Sequence, residues 1–135
     1  MGDTNDALEA LADVVATVVG RAKPYLDENI NPPDAHCFTR TYDPRLTLGG
    51  SPKRMLAASV RVFVKRIDLR SAQLSIRNYM DQAGETSIRA AVENGDLWPD
   101  GLIDDVEVVQ VGEPFEVGTG DAAYFAIDFD VDIIL

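Results

Sequence analysis

The last twelve residues, Tyr124 to Leu135, constrain this chain more than any other stretch. Phe125, Ile127, Phe129, Val131 and Ile133 alternate with Tyr124, Ala126, Asp128, Asp130 and Asp132. Successive side chains of a strand point to opposite faces, so the run predicts a strand with one apolar face and one face bearing three carboxylates. The apolar face needs helices or a second sheet to cover it. The acidic face must meet water, cations or a partner.

A second strand is predicted over Met55 to Ile67. Ala58, Val60, Val62 and Val64 make one face, and Ser59, Arg61, Phe63 and Lys65 the other. Set beside the terminal strand, Arg61 and Lys65 would share the polar face with Asp128, Asp130 and Asp132. Opposite charges across strands contribute roughly 0.2–1 kcal/mol each, enough to favour one register.

The remaining elements follow from period and punctuation. Ala7 to Ala22 reads as an amphipathic helix through Leu8, Leu11, Val15, Val18 and Val19, capped by Asp6 or Thr4 and ended by Gly20 and Pro24. Arg21 and Lys23 fall at its negative end. It is the natural lid for the apolar face of the terminal strand. After a connector stiffened by Pro32-Pro33, Ala35 to Tyr42 alternates as a first strand. Asp68 caps a helix to about Gln82, with Leu69, Ala72, Ile76 and Tyr79 or Met80 on its buried side. Ser87 to Glu93 is a short helix closed by Asn94-Gly95. Val106 to Val111 is a third long strand, Phe115 to Val117 a short strand or bulge, and Gly118 to Asp121 a hairpin turn. The fold class is α+β: a mainly antiparallel sheet of about four strands with an N-terminal helix and a central helix pair on one face. At 135 residues the chain fits one domain, 1–135, able to bury roughly two-thirds of its unfolded surface.

Asp43 to Lys53 is a loop by its Pro, Gly-Gly and Ser-Pro signals, and it is long for a compact domain. With its flanks it carries Arg40, Arg45, Lys53 and Arg54, a basic cluster in an acidic protein. It reads either as a mobile hairpin tip or as an arm, over about 43–54, that orders against a partner. In the second case Arg45, Leu46, Leu48, Lys53 and Arg54 are its contact residues.

The net charge of −11 opposes binding to phosphates. No apolar run approaches the roughly 20 residues that span a bilayer, and the polar start Met1 to Asp6 lacks the layout of a secretion signal. The lone Cys37 forms no internal disulfide, consistent with synthesis in a reducing cytoplasm. Cys37 and the single His36 are neighbours on a strand and face opposite ways, so they read as a partly buried thiol and a surface imidazole rather than shared ligands. Trp98 lacks the motifs of a cofactor box and reads as packing. The Asp128, Asp130, Asp132 row, at spacings of about 7 Å, offers oxygen ligands for Mg²⁺ or Ca²⁺ and so a Mg²⁺-dependent nuclease. A flat row without a concave first shell fits an acidic solvated face or a lumen wall better. No nucleophile has a base and orienting group, and no zinc, Rossmann or kinase pattern is present. Taken alone, the residues describe a non-enzymatic domain with no cofactor.

Several stretches together resemble, in order, the tail terminator proteins of long-tailed bacteriophages with actinobacterial hosts. They are Asn31-Pro32-Pro33, RVFVKR with Asp68 and RSAQLSIRNYM, GETSIRAAVENGDLW, DDVEVVQV and PFEVGTGDAAYFAIDFDV, spanning about Asn31 to Val131. The order and spacing carry the likeness, since each piece alone is unspecific. The basic loop from Arg45 to Arg54 is longer than the family pattern. The resemblance implies a virion protein, made in the host cytoplasm, that assembles into a ring, commonly a hexamer, at the head-proximal end of the tail tube. Such a ring ends tube polymerisation and joins the tail to the head-tail connector, while DNA passes through its lumen without specific binding. Asp128, Asp130 and Asp132 would then line that lumen or a subunit interface, and the arm would reach a neighbour, the tube protein or the connector. The edge of Ala35 to Tyr42, or of the terminal strand, would extend pairing between subunits. Another neck or tail component, a head-closure or tube subunit, shares the same features.

Overall fold

A computed structural model describes residues 3–26, 33–43, 47–48, 51–52, 55–65, 69–81, 84, 87–117 and 124–135. In chain order these form α1 (Asp3–Val19), β1 (Asp34–Asp43), the two-residue strands β2 (Thr47–Leu48) and β3 (Ser51–Pro52), β4 (Met55–Lys65), α2 (Leu69–Met80), α3 (Ile88–Val92), β5 (Asp105–Val111), β6 (Phe115–Val117) and β7 (Tyr124–Ile134). The architecture is α+β. Five strands make one antiparallel sheet in the order β1-β4-β7-β5, with β6 also on β7, while β2 and β3 pair with each other.

The two strands with the strongest alternation pair along their whole length, from Met55↔Ile134 to Lys65↔Tyr124. This register sets Leu56 against Ile133, Ala58 against Val131, Val60 against Phe129 and Val62 against Ile127. All eight are fully buried. β1 adds Ala35 opposite Val62 and Cys37 opposite Val60, and β5 adds Val108 opposite Val131. A continuous apolar surface therefore runs across four strands, and the helices cover it.

The covering differs from the expectation in one respect. α1 packs on β1 and α3 and more lightly on β4, while α2 reaches β4 and β7. The first helix is thus a lid for the β1 side of the sheet rather than for the terminal strand. The reason is topological: β7 lies between β4 and β5, and α1 leads through Lys23 directly onto β1. Lys23 accepts from Cys37 N–H at 2.8 Å and donates to Ala35 O at 2.9 Å. The helix also begins earlier and stops earlier than its predicted span. Gly20, at φ 93°, ends it and donates to Ala16 O at 2.8 Å, which places Arg21 and Lys23 beyond the helix. Its buried stripe is Ala7, Leu11, Val14, Val15 and Val19, with Leu8 and Val18 only partly covered.

In α2, Ile76 is buried and Tyr79 packs against the core, but Met80 is exposed. The Asp68 cap, the side chains of Leu69 and Ala72 and the Gly118–Asp121 turn lie outside the described residues. Ser87 caps α3, its Oγ accepting from Ala90 N–H at 3.0 Å and donating to Asp81 O. Asn94 opens a 3-10 turn, Gly95–Leu97, instead of merely closing α3. Trp98 is buried and its Nε1–H donates to Val92 O at 2.8 Å, so indole and helix end satisfy each other. Among the described residues Phe129 is the largest fully buried side chain, at the middle of the β4–β7 ladder. Phe129→Ala is expected to lower stability by about 3–5 kcal/mol, read from the urea unfolding midpoint.

Candidate functional site

The face of the sheet turned away from the helices carries the chain's concentrated charge. Period two puts Ser59 and Arg61 of β4 on it, opposite Asp130 and Asp128 of β7. Arg61 grips Asp128 with both arms of the guanidinium, Nε to Oδ1 at 2.8 Å and Nη2 to Oδ2 at 3.0 Å. Ser59 Oγ, almost wholly buried, donates to Asp130 Oδ1 at 2.8 Å. β1 supplies the next cation. A bulge between Thr39 and Thr41 makes Arg40 an extra residue, and its Nε donates to Ala58 O at 3.0 Å. From there Arg40 reaches Asp130 Oδ1 at 3.4 Å and Asp132 Oδ1 at 3.5 Å. The same bulge pairs Thr41 with Ala57 and Tyr42 with Leu56, a reversal of the simple alternation expected for this strand.

The three aspartates are therefore held by their own chain. Their side chains are 28%, 26% and 32% exposed for Asp128, Asp130 and Asp132. A bare wall of carboxylates is replaced by a lattice in which Arg40 and Arg61 offset much of the charge. Geometry decides the strength here: a bidentate pair about a third exposed outranks a loose surface pair, which is worth roughly 0.2–1 kcal/mol. Arg61 is further flanked by two rings, its Cζ lying 5.2 Å from the Phe38 centroid and 5.1 Å from the Phe115 centroid. Those cation–π contacts tie β1, β4 and β6 together through one side chain. The hydrogen bonds to Asp128 raise the Arg61 pKa above its ordinary value.

Lys65, expected on this face, pairs in register with Tyr124; its side chain lies outside the described residues. So do Arg45, Leu46, Lys53 and Arg54 of the arm. Of the arm's contact residues only Leu48 is described, by its β2 pairing with Ser51. Sequence reasoning missed Arg40 as a partner of the aspartates, having grouped it with the arm, and it missed the two aromatic rings. The alternation of His36, Phe38 and Arg40 with Ala35, Cys37 and Thr39 was the available signal.

His36 is a correction. The imidazole expected at the surface is 1% exposed, its ring edge-on to Phe63 at 4.7 Å, and its Nε2 stands 3.6 Å from Oδ2 of the fully buried Asp34. Asp34 Oδ1 accepts from Ala35 N–H at 2.8 Å. A carboxylate two residues before the histidine shares its strand face, which is how the pair forms. Cys37 points the other way, into the core, and burial pushes its thiol up to about 12. Among the described residues no three His, Cys, Asp or Glu side chains form a group able to hold a metal ion. Among them, too, no helix is long and apolar enough to cross a membrane.

No family model matches the chain, and no curated protein does. One solved structure, of a protein whose name states no function, is 18% identical over 97% of this chain and 94% of that one, at a TM-score of 0.44. That likeness is too slight to inform fold or function.

Two outcomes follow from the geometry. In a double-mutant cycle of Arg61→Leu and Asp128→Asn, the coupling is expected at about 1 kcal/mol, and near zero for Arg61 with Asp132→Asn. Cys37 contributes stability that is full below its ordinary pKa of 9.0 and is lost as pH rises toward 12, because only the unfolded thiol ionises in that window. Wild type should accordingly lose more stability than Cys37→Ala between pH 8 and 10.5 in matched urea titrations.

Proposed function

We propose that this chain is a structural subunit of a bacteriophage tail, a terminator that closes into a ring at the head-proximal end of the tail tube. The observation that supports this most is the division of the sheet. One face is sealed by helices, the other is a lattice of ion pairs held within the chain, and the strands β1 and β5 lie at opposite edges. A closed ring needs two different contact patches on each subunit, and opposite sheet edges supply a pair. The terminal strand is not one of them, because β7 is flanked by β4 on one side and by β5 and β6 on the other.

A surface of paired charges also suits a wall past which DNA moves. Arg40 and Arg61 are engaged by carboxylates, so they do not grip phosphates, and the remaining charge is negative. The order of the sequence stretches that resemble tail terminators supports the same reading. The partners it implies are further copies of the chain, commonly six in such rings, the tail tube protein and the head-tail connector. No reaction is assigned to it; Oδ1 of Asp128, Asp130 and Asp132 each meets a donor of the chain itself.

Adding the purified protein to growing tail tubes tests the assignment. Tubes are expected to stop elongating and to carry the protein at one end when viewed by negative-stain microscopy. Incorporation along the tube wall, or unchanged tube length, would contradict it.

A further inference from the structure

The two edge strands of the sheet are closed in different ways. At β1 the backbone does it, through the Lys23 bridge to Ala35 O and Cys37 N–H. At β5 side chains do it. Alternate N–H groups of an edge strand point outward, and two of them here donate to carboxylates. Val106 N–H donates to Asp105 Oδ1 at 2.9 Å, and Val108 N–H to Glu93 Oε2 at 3.0 Å. Glu93 reaches β5 from the end of α3, where Arg89 Nε holds its other oxygen at 3.2 Å.

In other respects β5 is an edge able to take a further strand. Asp105, Glu107, Val109 and Gln110 are exposed, and Val109, the bulged residue, is 47% exposed. A carboxylate can exchange an amide for water, whereas Lys23 is held by the chain on either side. Glu93 also lines a hollow of about 260 Å³ along Asp104, Asp105 and Val106, which gives its side chain room to withdraw.

Topology selects the strand that fits. β1, β4, β7 and β5 alternate in direction, so the two edges run opposite ways. A second copy, rotated about an axis along the strands, lays its β1 beside β5 and continues the antiparallel order. Register selects the residues. Val106 is level with Tyr42 through Ile133 and Leu56, and Val108 with Thr39 through Val131 and Ala58. A copy at the same height, as a closed ring requires, therefore brings Thr39–Tyr42 against Val106–Val108. That half of β1 lies beyond the Lys23 bridge, since Cys37 is level with Val111 through Val60 and Phe129.

We propose that Glu93 is a releasable cap on β5, which keeps Val108 closed to strand addition and withdraws when Thr39–Tyr42 of a second copy pairs with Val106–Val108. The inference rests on the reading of the protein as a ring subunit and names what restrains the contact between copies. The carboxylate is a competing acceptor that an incoming carbonyl must displace, so the edge is protected from indiscriminate pairing.

Sedimentation velocity of the full chain over a concentration series tests this, with circular dichroism and urea midpoints to check that each variant is folded. Glu93→Ala is expected to self-associate at a concentration at least about tenfold below that of wild type, because a charge-assisted hydrogen bond no longer competes. Glu93→Gln keeps an acceptor oxygen for Val108 and should stay closer to wild type than to Glu93→Ala. Thr39→Pro removes an outward N–H from β1 at an edge position that tolerates proline, and added to Glu93→Ala it should abolish the gain. Glu93→Ala associating no more than wild type, equal association by Glu93→Gln and Glu93→Ala, or a gain that survives Thr39→Pro in a folded chain overturns the proposal. The terminator reading fails separately: the expected association of these variants, with tubes that keep growing in the presence of wild type, would refute it and keep the cap. Tubes capped by a chain whose association is indifferent to Glu93 would do the reverse.

Discussion

The antiparallel pairing of Met55–Lys65 with Tyr124–Ile134 is the constraint on which the rest of the molecule depends. Its register sends five apolar residues of each strand to one side and places Arg61 and Ser59 against Asp128 and Asp130 on the other. A slip of one residue would bring Asp130 and Asp132 into the core and Phe129 into water. Burial of the apolar rows supplies most of the driving force. The Arg61–Asp128 fork contributes less energy, but it is available only in one register, so its effect is on specificity. The same ladder then receives β1 on the β4 side and β5 and β6 on the β7 side, and the helices have a single surface to cover.

The two faces divide the work of the protein. The helix face provides stability through Phe129, Ile127, Val60 and Leu11, with Trp98 locking the end of α3 to the core. On the opposite face Arg40 of β1 and Arg61 of β4 hold the aspartates of β7. At the periphery lie the two sheet edges, β1 and β5, and an acidic hollow beside α1.

Much of this was legible in the residues themselves. Strict alternation in both long strands reveals the sheet and its polar face, and the positions of Arg61 and the aspartates already imply their pairing. The N-cap Ser87 and the stop at Gly20 are local signals that need no tertiary context. The errors arise where long-range geometry overrides the local pattern. The bulge at Arg40 changes the register of β1, and nothing in Thr39-Arg40-Thr41 announces it. The burial of His36 depends on Asp34 and Phe63, the latter on another strand, so an imidazole that looks like surface becomes interior. α1 lies over β1 rather than β7 because chain order and strand order differ, a fact invisible to periodicity.

The central claim is that this sheet is one segment of a closed collar at the end of a tail tube. Cryo-electron microscopy of isolated tails bearing the protein tests it most directly. The account predicts a single ring of copies at the head-proximal end, with the β4–β7 aspartate face turned to the channel and neighbouring subunits in contact through opposite sheet edges. Copies spread along the tube wall, or an end with no ring of this chain, would contradict it.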